Sequence, residues 1–389
     1  MAPQTVERRV GRGALLTATV AAAVALTGCG GASHHTATTS RRSRARQRPA
    51  GNTTTTSTTP IEGGSIYAHT GAGDLSPAVN GVPSRVYVPN SESNTVDVID
   101  PTTFQVVGHF AVGRVPQHVA PAWDLRTLYV DNDRGNSLTP INPMTGAPGQ
   151  PIRVLDPYNL YFTPDGTKAI VVAERLQRLD VRDPHDWHLI GSIPVPYAGV
   201  DHLDFSADGR TLLASAEFSG WVVKVDLASM RVVDQLHVGG QPIDVKLSPD
   251  GSVFYVANQA RDGVSIVDPV GMQERAFIAT GKGAHGLYPS RDGRSLYVTN
   301  RTGGSVSVID FATNRVKATW TIGGSPDMGG VSADGTQLWL SGRYDGVVYV
   351  VDTRTGGLLH TIPVGKGPHG LCLFPQPGRY SLGHTGVYR

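Results

Sequence analysis

The chain has 389 residues and a formal net charge of +2, near neutral for that length, which argues against a dedicated nucleic-acid binder. Gly 47 and Pro 27 are high while charged residues are only 17%, a balance that favours a turn-rich β protein over a helical one. Two cysteines, Cys29 and Cys372, cannot build a disulfide framework.

At the N-terminus, Arg8, Arg9 and Arg12 lead into the small-residue apolar run GALLTATVAAAVALTG. A basic start followed by a short apolar run reads as an export signal over residues 1–28, not as a membrane span. The string LTGC (Leu26–Cys29) resembles the lipobox of bacterial lipoproteins. That resemblance implies cleavage before Cys29, a lipid on its thiol, and a protein anchored on the extracytoplasmic face of the cell membrane. An ordinary signal peptide with a chance cysteine is the competing reading. Residues 29–62 are rich in Ser, Thr, Gly and Arg without apolar periodicity, as expected of a disordered tether. Its arginines (Arg41, Arg42, Arg44, Arg46, Arg48) either meet anionic headgroups or are simply solvated.

From residue 63 to 389 the sequence repeats. Short apolar runs end at Asn90, Asn132, Glu174, Ala216, Asn258, Asn300 and Gly342, each 42 residues after the last. Runs of the VDVID type end at Asp100, Asn142, Asp226, Asp268, Asp310 and Asp352, with a gap near RLDVRD. DG turns precede the first series at Asp165, Asp208, Asp250, Asp292 and Asp334, and DG between alternating apolar runs marks a hairpin. Each period therefore holds about four strands, the pattern of a β-propeller blade. The expected fold is all-β, a seven-bladed β-propeller of four-stranded blades with ring closure by the chain ends. The run RYSLGHTG places His384 another 42 residues beyond Gly342 and is expected as an eighth second strand latching the ring. GSIYAHTGAGDLSPAV is expected to join that closure, and Cys372, in GLCLF, to be a packed thiol.

With LYVTN present literally, residues 66 to 389 resemble the YVTN-type β-propeller family. The resemblance implies the fold and says little about activity, because that family includes surface-layer-like proteins, cytochrome d1-like propellers and members without an assigned role.

A structural residue recurs in every blade, whereas a site breaks the symmetry. The residues entering the inner strands read Gln117, Tyr158, Asp201, Ile243, His285, Asp327 and His369, followed by His118, Asn159, His202, Asp244, Gly286, Met328 and Gly370. The position after the YVxN asparagine reads Ser91, Asp133, Arg175, Glu217, Gln259, Arg301 and Arg343, with Glu174 standing where other blades place asparagine. These positions share one channel mouth. The candidate ligand-binding set is His118, Tyr158, Glu174, Arg175, Asp201, His202, Glu217, Asp244, His285, Arg301, Asp327, Arg343 and His369. Arginine forks suit carboxylate or phosphate oxygens. Any one histidine also has a bland role, as a turn element bonded to a neighbouring loop.

His118, His202, His285 and His369 are the candidate metal ligands, for a transition metal or haem. They lie on alternating blades and are expected to be too far apart for one ion, and no HxH, HExxH or CxxCH spacing supports them. Glu174, Asp201 and Glu217 are candidate bases for a lactonase-like hydrolysis. Nucleophile elbow and phosphate loop are missing from the sequence, and the glycines of GKGAHG and GKGPHG enter predicted strands and not the helix that a dinucleotide fingerprint requires. The leading expectation is a monomeric envelope-anchored binding protein, requiring no cofactor, that takes a small anionic ligand or an envelope protein at the mouth. The alternatives are a metal- or haem-dependent redox or hydrolytic propeller and, less favoured, a single-stranded nucleic-acid binder using the arginines and Tyr158.

Overall fold

The computed structural model describes residues 64–389. The expected leader 1–28, the proposed lipidation site Cys29 and the expected tether 29–62 lie outside the described residues. Among the described residues, 28 strands numbered in chain order form seven four-stranded antiparallel sheets. The described residues form a seven-bladed β-propeller and contain almost no helix.

The repeat explains each blade locally. At the turn between the inner and second strands, Asp165, Asp208, Asp250, Asp292 and Asp334 each accept the backbone N–H two residues on, at 3.0–3.1 Å. Thr163, Ser206, Ser248, Ser290 and Ser332 donate their hydroxyls to the same carboxylates. The following glycines sit at φ +65 to +79, which side chains resist. Where the sequence writes Asp124-Leu125 instead, Leu125 is forced to φ +64. The YVxN asparagine ties the next hairpin. Asn90 donates to Thr95 and Asp97, Asn132 to Ser137 and Thr139, and Asn300 to Ser305 and Ser307.

Seven apolar clusters fill the seven gaps between neighbouring blades. Trp339, fully buried, seals the gap between the last blade and the first and stacks on Phe104 at 5.7 Å. Burying an aromatic side chain of this kind contributes roughly 1.5–3 kcal/mol.

The ring closes through the chain ends. Strand β28 (Cys372–Phe374) pairs antiparallel with β1 (Arg85–Asn90), so the first blade takes its inner strand from the C-terminus. Cys372 is a buried free thiol there. The expected eighth second strand does not form. Residues 380–389 instead enter the channel from the DG-turn end, where Leu382 accepts from Phe162 and His384 donates its N–H to Leu160 at 2.7 Å. The 42-residue spacing of His384 does not mark a second strand, since among the described residues no strand follows β28 and none pairs with this segment as a hairpin. The N-terminal segment joins this closure. Ile66 donates to Pro249, the Tyr67 hydroxyl donates to Leu247, and Leu75 bridges Pro377 and Gly378. The tail and this segment leave a gap of about 50 Å³ at that end.

Candidate functional site

The opposite mouth is open. Its inner strands start at β4 (Pro116–Pro121), β8 (Asn159–Phe162), β12 (Val200–Phe205), β20 (Ala284–Pro289) and β24 (Pro326–Val331). The loop after each second strand folds onto the loop entering the inner strand: Asp133 N–H donates to Val115, Glu217 to Gly199, Arg301 to Gly283 and Arg343 to Ser325. One mouth therefore collects both series of variable residues.

The third blade is out of step with the constant spacing. There Ala173 pairs with Arg178, as Asn132 pairs with Ser137 in the second blade. The left-handed residue that ends the loop is Gln177, matching Asn136. Hence Ala173, not Glu174, occupies the asparagine position, and Glu174, not Arg175, matches Asp133 and Glu217. A one-residue shortening before the DG turn at Asp165 is made up after the second strand, which hides the shift. Read around the ring, the series becomes Ser91, Asp133, Glu174, Glu217, Gln259, Arg301 and Arg343.

That correction sorts this series into two sides, although Arg134, paired with Asp133 at 3.3 Å, adds a cation on the acidic side. Acids come from three adjacent blades and arginines from two blades across the channel. They line a cavity of about 480 Å³ together with Tyr158, His285 and His369, within the size range of small-molecule sites. Arg114, Arg134 and the exposed Phe218 also line it and were not singled out from the sequence. Only the loop pairing just described could have pointed to them.

Two candidates lie elsewhere. Arg175 sits one residue further along its loop, exposed, and ion-pairs with Asp156 at 2.7 Å and Asp133 at 3.2 Å. Asp244 is fully buried between blades, where it accepts from Leu287 N–H at 2.8 Å and Lys246 at 2.8 Å. It satisfies the backbone of the next inner strand, as Asp204 does for Leu247.

Charges are unevenly held. Burial, aided by the negative charge of Asp201, pushes the Glu174 carboxyl up to about 8 and Glu217 up to about 9. Both are therefore protonated at neutral pH. Burial would also raise Asp201, but the adjacent His202 brings it below its ordinary value. Arg301 donates to Gln259 and, at 3.5 Å, to Asp327. Arg343 donates to Ser91 at 3.0 Å and to the Gly367 carbonyl.

Beneath the mouth the channel is filled with imidazoles. The His118 ring lies 5.3 Å from that of His202, 4.8 Å from His369 and 5.1 Å from His384. Neighbouring histidines approach closely because the inner strands converge, yet the four predicted ligands do not gather around one point, in line with the expectation that they are too far apart for one ion. They do not form one set of four. His118, His202 and His384 make one group, while His285, His369 and Asp327 make another. His285 Nδ1 lies 2.9 Å from Asp327 Oδ1. Burial, with His202 beside it, pushes His118 down to about 3, and burial likewise lowers His285, His369 and His384. The sequence reading missed His384 as a channel residue.

A β-propeller with an asymmetric polar channel is thus defined by fold and site together. The chain belongs to the YNCE-like beta-propeller family, whose model matches residues 65–378. It is 26% identical over 148 residues to dihydro-heme d1 dehydrogenase of Pseudomonas aeruginosa, a match covering 38% of this chain and 27% of that protein. Among solved structures, Kuenenia stuttgartiensis hydrazine synthase is similar with a TM-score of 0.63 at 22% identity, covering 74% of this chain and 96% of that one. The Pseudomonas aeruginosa periplasmic gluconolactonase PpgL is similar with a TM-score of 0.63 at 21% identity, covering 76% and 99%. Dihydro-heme d1 dehydrogenase NirN in complex with DHE gives a TM-score of 0.59 at 18% identity, covering 76% and 75%. At these identities the structural likenesses show the fold alone.

Proposed function

We propose that the protein is an envelope-anchored binding propeller that captures a small anionic ligand in its open channel mouth. The observation that carries this is the two-sided cavity. Arg301 and Arg343 present cations on one side, and Glu174 and Glu217 present protonated carboxyls across from them. A carboxylate or phosphate group meets the guanidinium forks, while the neutral acids donate hydrogen bonds to its polar body. Phe218 at the rim supplies an apolar contact. Envelope placement rests on the basic leader and on LTGC ending at Cys29.

The test is a thermal-shift and calorimetric panel of small carboxylates and phosphates on the wild-type chain and on Arg301→Gln/Arg343→Gln. A member that stabilises the wild type and loses at least about tenfold in affinity in the double variant supports the proposal. A panel without binders, or binding that ignores both arginines, refutes it.

One observation favours a second reading, an enzyme. Two acids titrating near 8 and 9 beside the ionised Asp201 form a proton-transfer set close to neutral pH. The dehydrogenase and gluconolactonase among the similar proteins share the fold on which such a set is placed. Turnover of a lactone that disappears in Glu217→Gln would favour it.

A further inference from the structure

The centre of the channel holds three imidazoles brought from three separate places. His118 comes from the second blade, His202 from the fourth, and His384 from the C-terminal tail. All three side chains are fully buried. Their rings lie 5.3, 5.1 and 4.7 Å apart, and their ligand nitrogens all lie within 4.8 Å of one another. Nε2 of each ring is buried without a hydrogen-bond partner. Three buried, unpartnered nitrogens in one cluster are costly unless something joins them.

The other nitrogen of each ring is placed against an orienting group. His118 Nδ1 lies 2.9 Å from the Tyr158 carbonyl, and His384 Nδ1 lies 3.0 Å from the Asn159 side chain. His202 Nδ1 lies 2.7 Å from Asp201 Oδ1, off the line a hydrogen bond needs. Such partners behind a ring fix which nitrogen faces inward, the arrangement found behind metal-bound histidines.

The tail is shaped to deliver its ring. His384 holds a left-handed backbone at φ +51, a strained state for a side chain, and its N–H is tied to the Leu160 carbonyl. Gly383 before it has φ +88, and a Cβ there would stand 2.4 Å from the same carbonyl oxygen, so only glycine fits. Closing the ring of blades requires only β28. Nothing in that closure calls for a buried histidine beyond it.

We infer that His118, His202 and His384 together bind one divalent transition-metal ion of the zinc, copper, nickel and cobalt class, stapling the C-terminal tail to two blades. Three nitrogen donors without carboxylate suit these borderline ions and not magnesium or calcium. Bonds of about 2.0–2.1 Å in a tetrahedral or trigonal site put the nitrogens about 3.3–3.6 Å apart, so ring movements of about 1 Å or less complete the set. The second cluster is a poorer host because Asp327 already carries Arg301 and His285. None of the three histidines lines the mouth cavity, although His369 and Tyr158 of the mouth touch His118, so metal binding is read by the ion itself and not by what the mouth binds.

The experiment uses the full chain stripped with a chelator and titrated with Co²⁺, then competed with Zn²⁺. The expected result is one ion per chain, with visible bands of a nitrogen-rich site that Zn²⁺ abolishes. His384→Gln and His202→Gln each weaken binding by at least about 100-fold, while His285→Gln changes it by less than about threefold. X-ray absorption on the wild-type Co²⁺ complex, which needs no variant to fold, shows three imidazole nitrogens. An absence of stoichiometric binding below about 10 µM, an all-oxygen shell, or equal affinity in His384→Gln overturns the inference. A loss in His285→Gln as large as that in His202→Gln also overturns it.

Discussion

Glu217 offers a stability test of the mouth's electrostatics. Its carboxyl rises from an ordinary 4.5 to about 9, first because it is buried and next because Asp201 stays charged beside it. Below pH 4.5 folded and unfolded chains both hold the proton. Above it the unfolded chain sheds the proton while the native chain keeps it, so native stability falls with rising pH until about 9. Each pH unit in that window costs about 1.4 kcal/mol, giving roughly 3 kcal/mol at pH 7 and less than about 1 kcal/mol at pH 5. Glu217→Gln keeps the shape and removes the titration. It is expected to stabilise the protein by about 2–4 kcal/mol at pH 7, more at pH 8, and by less than about 1 kcal/mol at pH 5. Urea unfolding of both proteins at the three pH values reads this as a midpoint shift of about 1 M at pH 7 for a slope near 3 kcal/mol/M. Equal stability at every pH, or a variant less stable at pH 8, would refute the reasoning.

Anion binding at the mouth should weaken by at least about tenfold as pH rises through about 8 and about 9, because Glu174 and Glu217 ionise and repel the ligand; calorimetry showing constant affinity from pH 7 to 10 would contradict it. Trp339→Ala should cost about 3–5 kcal/mol by denaturant unfolding, since the ring fully fills the gap between the last and first blades; a loss below about 1 kcal/mol would show that this gap collapses freely. Cys29→Ala should abolish incorporation of labelled fatty acid into the chain, as read by autoradiography, and a wild-type chain that takes up no label would remove the lipid anchor from the proposal.

Much of the fold was legible because each blade repeats a local chemical device. The DG turns with a hydroxyl residue two places earlier, and the YVxN asparagines, are hydrogen-bonding units whose letters recur with the period. The variable mouth positions showed themselves as failures of that repetition, which is how Glu217, His285, Arg301, Arg343 and His369 were found. Constant spacing also misled. A compensated one-residue shift put Glu174 and Arg175 out of register, because spacing counts residues and pairing decides which one turns inward. Asp244 shares its position with His118 and His202, yet its partners are the backbone of the next blade and Lys246, which the pattern does not encode. His384 was invisible as a channel residue because its place depends on the path of the tail beyond β28, a tertiary fact.

The most direct test of the central claim is a crystal structure, at pH 7, of the protein purified from its host with residues 63–389 intact. The account predicts non-protein density in the mouth that bridges the Arg301 and Arg343 guanidiniums to the Glu174 and Glu217 carboxyls. A mouth holding only scattered water, in protein that also binds no anion from the panel, would contradict it.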